Sequence, residues 1–239
     1  LYITCEMAEE KIAERIDANL LDIPIQALQD PLLTKQKYRA KMDVLKKKTQ
    51  GKLVIKEYPT ASAHVGHFKA LLNELSLKKG FHPEIIFVDY LNICASSRYK
   101  GTIVNSYTYV KAIAEELRGL AGEYNVPILS ATQTTRSGYG NSNVEITDTS
   151  ESFGLPATAD LMFALISTED MEELNQIMVK QLKNRYNDPT VYKRFVLGID
   201  RQKMRLYDCE QGAQDNIIDA GDAPKSFTDT KKSFEGFKI

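Results

Sequence analysis

The chain predicts an α/β fold, with a mostly parallel sheet flanked by helices and antiparallel strands at its edge. Three observations predict it. Short apolar runs bounded by Pro, Gly or polar residues alternate with helix-spaced segments as far as residue 131. From Ala159 onward the apolar runs follow one another with only short polar breaks, as antiparallel strands joined by turns do. One run, Ile85-Ile86-Phe87-Val88, leads straight into Asp89, as a buried strand would when it carries a carboxylate to the edge where open α/β sheets place ligands.

Each element has its own local cause. Residues 1–5 read as a strand. Glu9 to Leu21 places Ile12, Ile16 and Leu20 on one helical face. Residues 24–50 are helical and basic, with Lys35, Lys37, Arg39, Lys41 and Lys46 to Lys48. That helix is either a solvated face or a contact with nucleic acid or another subunit. Leu53 to Tyr58 is a short strand closed by Pro59, and His64 to Leu77 is an amphipathic helix carrying Phe68, Leu71, Leu72 and Leu75. The Asp89 strand follows Pro83. Residues 95–105 are a polar loop, Tyr107 to Tyr124 a long helix, and Val126 to Ala131 the next buried strand. Residues 134–152 are rich in Ser, Thr, Gly and Asn and lack apolar periodicity, which marks a functional or mobile loop. Ala159 to Ile166, Ile177 to Leu182 and Arg194 to Ile199 are strands, and Met204 to Tyr207 closes a hairpin. From about Gly212 the chain turns polar and reads as a flexible tail over 212–239.

Composition narrows the setting. At 239 residues and 43% hydrophobic, the chain suits one large α/β domain or two small ones. A net charge of −1 gives no global basic field, so nucleic acid would have to be held by local patches. Cys5, Cys94 and Cys209 are odd in number and far apart, so neither a disulfide framework nor a metal spacing follows, and a reducing cytoplasm is the simplest location. No apolar run reaches membrane-spanning length and no signal peptide is present. The chain opens on Leu1, without an initiator Met and with a strand already under way, so a fragment is expected.

Four positions could carry phosphate chemistry. Asp89, at a strand end, suits the Mg²⁺ of a bound triphosphate; otherwise it simply ends a strand. Glu6, just past the first strand, could polarise an attacking water; otherwise it is a helix-start acid. Gln133 follows the strand Ile128 to Ala131, where a neutral amide could bond a γ-phosphate and lose that bond on hydrolysis. Otherwise it is an ordinary loop residue. Lys183 and Arg185 follow a strand and share a face by alternation, so both could reach triphosphate oxygens; otherwise they are a basic turn. No G-x-x-x-x-G-K-[ST] loop occurs in the 239 residues, and Gly51-Lys52-Leu53 lacks both the upstream Gly and the hydroxyl residue. Such a cradle is expected upstream of Leu1, about one strand–loop–helix unit away.

In order and at these spacings, the motifs resemble the ATPase domain of hexameric replicative DNA helicases of the DnaB-like family, above all its tailed-phage branch. Tyr2 to Glu10 with Arg15 and Asn19 resembles the family strand ending in Glu-Met. Phe87 to Leu91 resembles its Walker B strand, and Asn125 through Gln133 to Arg136 its Gln sensor strand. Ala159-Asp160-Leu161-Met162 resembles its later Ala-Asp strand, and Lys183-x-Arg185 its paired cations. The resemblance implies that residues 1–211 are a partial RecA-like ATPase domain lacking its P-loop unit, followed by the tail. It implies ATP and Mg²⁺, a hexameric ring on single-stranded DNA, and a primase or helicase loader as partners, in the host cytoplasm if phage-encoded. It assigns Glu6 as the base, Asp89 to Mg²⁺ and Gln133 to the γ-phosphate, with Lys183 and Arg185 serving a neighbouring subunit's ATP. In the DNA loop, Arg136 is the sole basic residue, so Ser137, Gly138, Asn141 and backbone amides would supply most phosphate contacts. The long basic stretch 30–56 suits a phage-type insertion, and Thr132 stands where bacterial members usually have Ser. A DNA-binding recombinase and a non-catalytic assembly module are the alternatives. The order of Lys183-x-Arg185 speaks against the first, and the missing P-loop speaks for the second.

Overall fold

The computed structural model describes residues 1–28, 30, 35–99, 104–134, 144–146, 154–188, 191, 193–210 and 214. In chain order the elements are β1 (Tyr2–Thr4), α1 (Glu9–Leu21), α2 (Lys35–Lys48), β2 (Ile55–Glu57), α3 (Val65–Lys79), β3 (Ile86–Asp89), α4 (Ser106–Tyr124) and β4 (Ile128–Ser130). After them come α5 (Gly154–Thr158), β5 (Leu161–Ile166), α6 (Glu169–Glu173), β6 (Gln176–Asn184), β7 (Arg194–Asp200) and β8 (Arg205–Asp208). Among the described residues no helix is long and apolar enough to cross a membrane.

The strands form two four-stranded sheets. The first is wholly parallel, in the order β2-β1-β3-β4, with Thr4 opposite Asp89 and Val88 opposite Ser130. The second is wholly antiparallel, in the order β5-β6-β7-β8. The fold is thus the expected α/β type, but the antiparallel strands make a sheet of their own. Two short helices, α5 and α6, break what reads in the sequence as a bare succession of strands. At five residues each they are too short to show a helical period. The basic segment 24–50 is also not one helix: a 3-10 turn over Ile25–Leu28 precedes α2.

One face of the parallel sheet carries the core. Ile3, Ile86 and Val88 are almost fully buried beneath Phe68, Leu71, Leu72 and Leu75 of α3 and Val110, Ile113, Leu117 and Leu120 of α4. Both helices have defined ends. His64 caps α3 by accepting from the Gly66 N–H at 3.0 Å, and His67 Nδ1 accepts from the His64 N–H at 3.2 Å, a reciprocal box made with imidazoles. Asn105 Oδ1 caps α4 by accepting from the Thr108 N–H at 2.8 Å. Helix α2 buries no residue. It is tied to α1 by the Tyr38 phenol, which donates to Asp17; burial and that carboxylate push the phenol pKa up to about 12.

Beyond residue 210 only Gln214 is described, and it docks on β7. Its Oε1 accepts from the Val196 N–H at 2.9 Å and its Nε2 donates to the Val196 carbonyl at 2.7 Å. The rest of the expected tail lies outside the described residues.

Gly198 of β7 faces Tyr207 of β8, and the tyrosine ring covers it: a Cβ there would lie 2.2 Å from Cε2 and 2.3 Å from Cζ. The glycine is kept for space rather than for its backbone freedom. Gly198→Ala should lower stability by about 1–3 kcal/mol in urea unfolding, and adding Tyr207→Ala should return most of the loss. A single substitution without cost would show that the ring is free to swing away.

Candidate nucleotide site and a second cationic cluster

The parallel ladder brings three candidate residues to one edge. Cys5 N–H donates to the Asp89 carbonyl at 2.8 Å, the rung just past β1, so Glu6 follows directly beside the end of β3. A tight turn then exposes it. Thr4 Oγ1 donates to the Met7 carbonyl at 2.8 Å and accepts from the Met7 N–H at 3.0 Å, while Thr60 Oγ1 donates to the Cys5 carbonyl at 2.8 Å. Helix α1 begins at Glu9, and its first-turn acids are Glu9 and Glu10, so Glu6 stands outside the helix. Its exposed carboxylate has no hydrogen bond or ion pair among the described residues.

Asp89 is half-buried. Its Oδ2 accepts from the Tyr2 phenol at 2.7 Å, and among the described residues its Oδ1 accepts nothing. Tyr2 gets there because β1 and β3 are parallel: its ring stacks on Phe87 with centroids 6.0 Å apart and points its hydroxyl at the next same-face residue, Asp89. Burial and then the carboxylate push the Tyr2 phenol above its ordinary range. The Asp89–Tyr90 peptide is cis. Gln133, exposed beyond β4, donates through Nε2 to the Tyr90 hydroxyl at 3.0 Å.

Among the described residues no group of three or more His, Cys, Asp or Glu could hold a metal alone. The donor set still suits Mg²⁺, which takes one or two carboxylates and fills its shell with water and phosphate oxygens. The free Oδ1 of Asp89 is such a donor. Two buried polar atoms without a partner, Asn92 Oδ1 and Thr132 Oγ1, lie on the segments that follow β3 and β4.

The turn after β3 is held from both sides. Buried Cys94 and Cys5 put their sulfurs 3.9 Å apart. Beyond them, buried Glu116 of α4 grips the chain. It accepts from Ser96 Oγ at 2.6 Å, from Ser97 N–H at 2.9 Å and Ser97 Oγ at 2.8 Å, and from Arg98 N–H at 3.4 Å. Burial alone would raise this carboxyl, but the donors from Ser96, Ser97 and Arg98 together outweigh it and hold the group below its usual range.

Lys183 and Arg185 share a face, and both lie in a second cluster. Lys183 Nζ donates to the Pro156 carbonyl at 2.5 Å and the Ala157 carbonyl at 3.2 Å. Arg185 Nε pairs with Asp160 Oδ1 at 2.7 Å, and its Nη2 donates to the Ala157 carbonyl at 2.9 Å. Arg118 of α4 reaches the same Oδ1 at 2.8 Å and the Thr158 carbonyl at 2.7 Å. Neither Lys183 nor Arg185 bonds to Glu6, Asp89 or Gln133 among the described residues. Arg136, Ser137, Gly138 and Asn141 lie outside the described residues.

Sequence reasoning passed over Tyr2, Tyr90, Glu116, Arg118 and Asp160 as site residues. For Tyr2 a signal existed: it stands at the same alternation as Phe87 and Asp89 once β1 and β3 are paired. Glu116 is a charge on the buried side of an amphipathic helix, which is also legible. Arg118, Tyr90 and Asp160 have no local signal.

The comparisons with known proteins agree with one another. A family model described as DnaB-like helicase C terminal domain matches residues 1–195. A DnaB-like replicative helicase of Enterobacteria phage T4 is 45% identical over 212 residues, which are 88% of this chain and 45% of that protein. A probable plasmid replicative DNA helicase of Chlamydia trachomatis is 29% identical over 137 residues, 56% of this chain and 28% of that protein. The chain thus spans less than half the length of these relatives. Two solved structures share the fold at a TM-score of 0.68: a DnaB-like replicative helicase described with its interactions with primase, and an isolated ATPase domain. They are 16% and 17% identical to this chain; each match covers 87% of it, and 50% and 74% of those chains respectively.

Because its donors lower the Glu116 carboxyl, its contribution to stability is present above the ordinary glutamate value of about 4.3 and is lost as pH falls through the lowered folded value. Below about pH 5, wild-type stability should therefore fall more steeply than that of Glu116→Gln, measured by urea unfolding across pH. At neutral pH, Glu116→Ala should cost about 2 kcal/mol by stranding the Ser96 and Ser97 donors. Parallel pH curves would mean the carboxyl is not held below its ordinary range.

Proposed function

We propose a function from one premise: this chain belongs to the DnaB-like helicase C-terminal domain family. It is a replicative helicase domain of α/β architecture. The finer reading is an ATP-driven motor that moves on single-stranded DNA as a ring, a hexamer as the family resemblance implies. The observation that carries this reading is the juxtaposition of an unpartnered exposed carboxylate, Glu6, with the end of β3 bearing Asp89.

Each residue has a role that its surroundings suit. Asp89 would hold Mg²⁺ through its free oxygen, and the ion would neutralise charge on the phosphates. The Tyr2 hydroxyl holds the other oxygen and so fixes the carboxylate's orientation. Glu6, outside the helix and unpaired, takes a proton from the attacking water. Gln133 reports on the γ-phosphate, and its bond to Tyr90 gives that report a path to the residue next to Asp89. Lys183 and Arg185, engaged away from these groups, serve the phosphates of a neighbouring subunit. Head-to-tail packing that delivers them closes naturally into a ring. A primase and a loader are the partners expected of such a ring, and the cytoplasm, the host's for a phage protein, is its compartment.

The 239 residues contain no G-x-x-x-x-G-K-[ST] loop, so this chain by itself should show no DNA-stimulated ATP turnover. Measurable turnover by the purified chain would remove the need for that phosphate cradle.

In a protein that also carries the cradle, Glu6→Gln should spare nucleotide binding and cut turnover about 10²-fold or more. Arg185→Ala should do the same by about 10³-fold. Mixing the two should restore activity, because at a mixed boundary one subunit contributes an intact Glu6 and its neighbour an intact Arg185. Co-assembled mixtures no more active than either variant alone would overturn the trans assignment.

A further inference from the structure

The antiparallel pairing of β5 with β6 decides what stands opposite Arg185. Met162 pairs with Lys183 and Leu161 with Asn184, so the next position outward sets Asp160 against Arg185. The backbone keeps this pairing past the end of the ladder, since the Arg185 N–H donates to the Asp160 carbonyl at 2.8 Å. An acid and a base directly opposite at a strand end form a cross-strand pair. Here the pair is oriented. Arg185 presents Nε to Asp160 Oδ1 at 2.7 Å and Nη2 to the Ala157 and Ala159 carbonyls at 2.9 and 3.4 Å. The third nitrogen, Nη1, makes no hydrogen bond among the described residues.

The surroundings say what the carboxylate is for. Three cations, Arg118, Lys183 and Arg185, gather around it and the carbonyls of α5. Without Asp160 they would repel one another, and desolvation with the charges of Arg185 and Arg118 already lowers the Lys183 ammonium. The side chains of Asp160 and Arg185 are 38% and 41% exposed, so their ion pair adds little to stability. It does select one conformation of a long, flexible side chain. Pinning one edge of a planar guanidinium leaves the opposite edge pre-oriented for a phosphate, whereas an unpinned Arg must pay for ordering at each turnover.

We infer that Asp160 is a positioning residue for Arg185: it fixes the inner edge of the guanidinium and leaves Nη1 directed to the neighbouring subunit's nucleotide. This rests on the reading of Arg185 as the group that acts in trans. Arg118 shares the same carboxylate oxygen and braces it against α4, so the bracket is continuous with the helix that packs the parallel sheet.

The test uses the complete ring-forming protein with ATP and single-stranded DNA. Asp160→Asn should lower kcat by about 10-fold or more while leaving the KM for ATP within about 2-fold, because misplacement of the group acts on turnover rather than on binding. Asp160→Glu, which keeps the charge but moves it outward by one methylene, should fall between wild type and Asn. The double variant Asp160→Asn with Arg185→Ala should be no slower than Arg185→Ala alone. Mixed with Glu6→Gln subunits, Asp160→Asn should recover activity, since its own Glu6 is intact and the neighbour supplies a well-held Arg185. Unchanged kcat in Asp160→Asn, or a double variant slower than Arg185→Ala alone, would overturn the inference while leaving the trans reading in place. Should Asp160→Asn not assemble, Asp160→Glu carries the test, and wild-type kcat in that variant counts against the inference. Failure of Arg185→Ala itself to recover with Glu6→Gln would instead remove the reading on which the inference rests.

Discussion

The rest of the structure depends on the pairing of β1 with β3. Thr4 stands opposite Asp89, and the Cys5 N–H closes the last rung on the Asp89 carbonyl at 2.8 Å. Sheet faces alternate with every residue, so a slip of one position would send Ile3 out of the core and turn Tyr2 away from Asp89. The buried face resists that slip, because Ile3, Ile86 and Val88 are all locked beneath α3 and α4. Packing on one side of the sheet therefore sets the geometry of polar groups on the other. The Tyr2–Asp89 bond, the turn that exposes Glu6 and the contact between Cys5 and Cys94 all follow from this one alignment.

Much of the fold was legible because its signals are local. The apolar run into Asp89, the helix-spaced leucines of α3 and the polar breaks between late strands each lie within a short window. What escaped is long-range or too short to repeat. Tyr2 meets Asp89 across 87 residues of sequence, and Gln133 meets Tyr90 across 43. Neither partner follows from its own neighbours. The division into two sheets depends on which strand edges meet, and strands of three residues such as β1, β2 and β4 have too few positions to declare an edge. The candidate residues fared unevenly. Glu6, Asp89 and Gln133 were readable as strand-end positions, and β1, β3 and β4 bring them to one edge. Lys183 and Arg185 were readable as a same-face pair, but their carbonyl partners on α5 and the Asp160 carboxylate were not. Arg136, Ser137, Gly138 and Asn141 fall outside the described residues, so their part in DNA binding stays a proposal.

The two clusters differ in sign. Glu6 and Asp89 make one strand edge acidic, while Arg118, Lys183 and Arg185 leave the other with more positive than negative charge despite Asp160. Under the proposed head-to-tail packing, the acidic edge of one subunit meets the basic edge of the next with a polyanionic nucleotide between them. Such an arrangement favours one relative orientation of subunits over its reverse.

Gln214 has a different consequence. Strand β8 pairs only with Leu197 to Asp200, which would leave the peptide groups of Val196 bare at the sheet margin. Bare margins recruit strands from other molecules. A glutamine amide carries one donor face and one acceptor, as a peptide unit does, and here it satisfies both groups of Val196. It occupies the rung without offering a next one, so an intruding strand finds no row to extend. A single side chain thus acts as a stopper, guarding the antiparallel sheet against runaway pairing where its own last strand falls short.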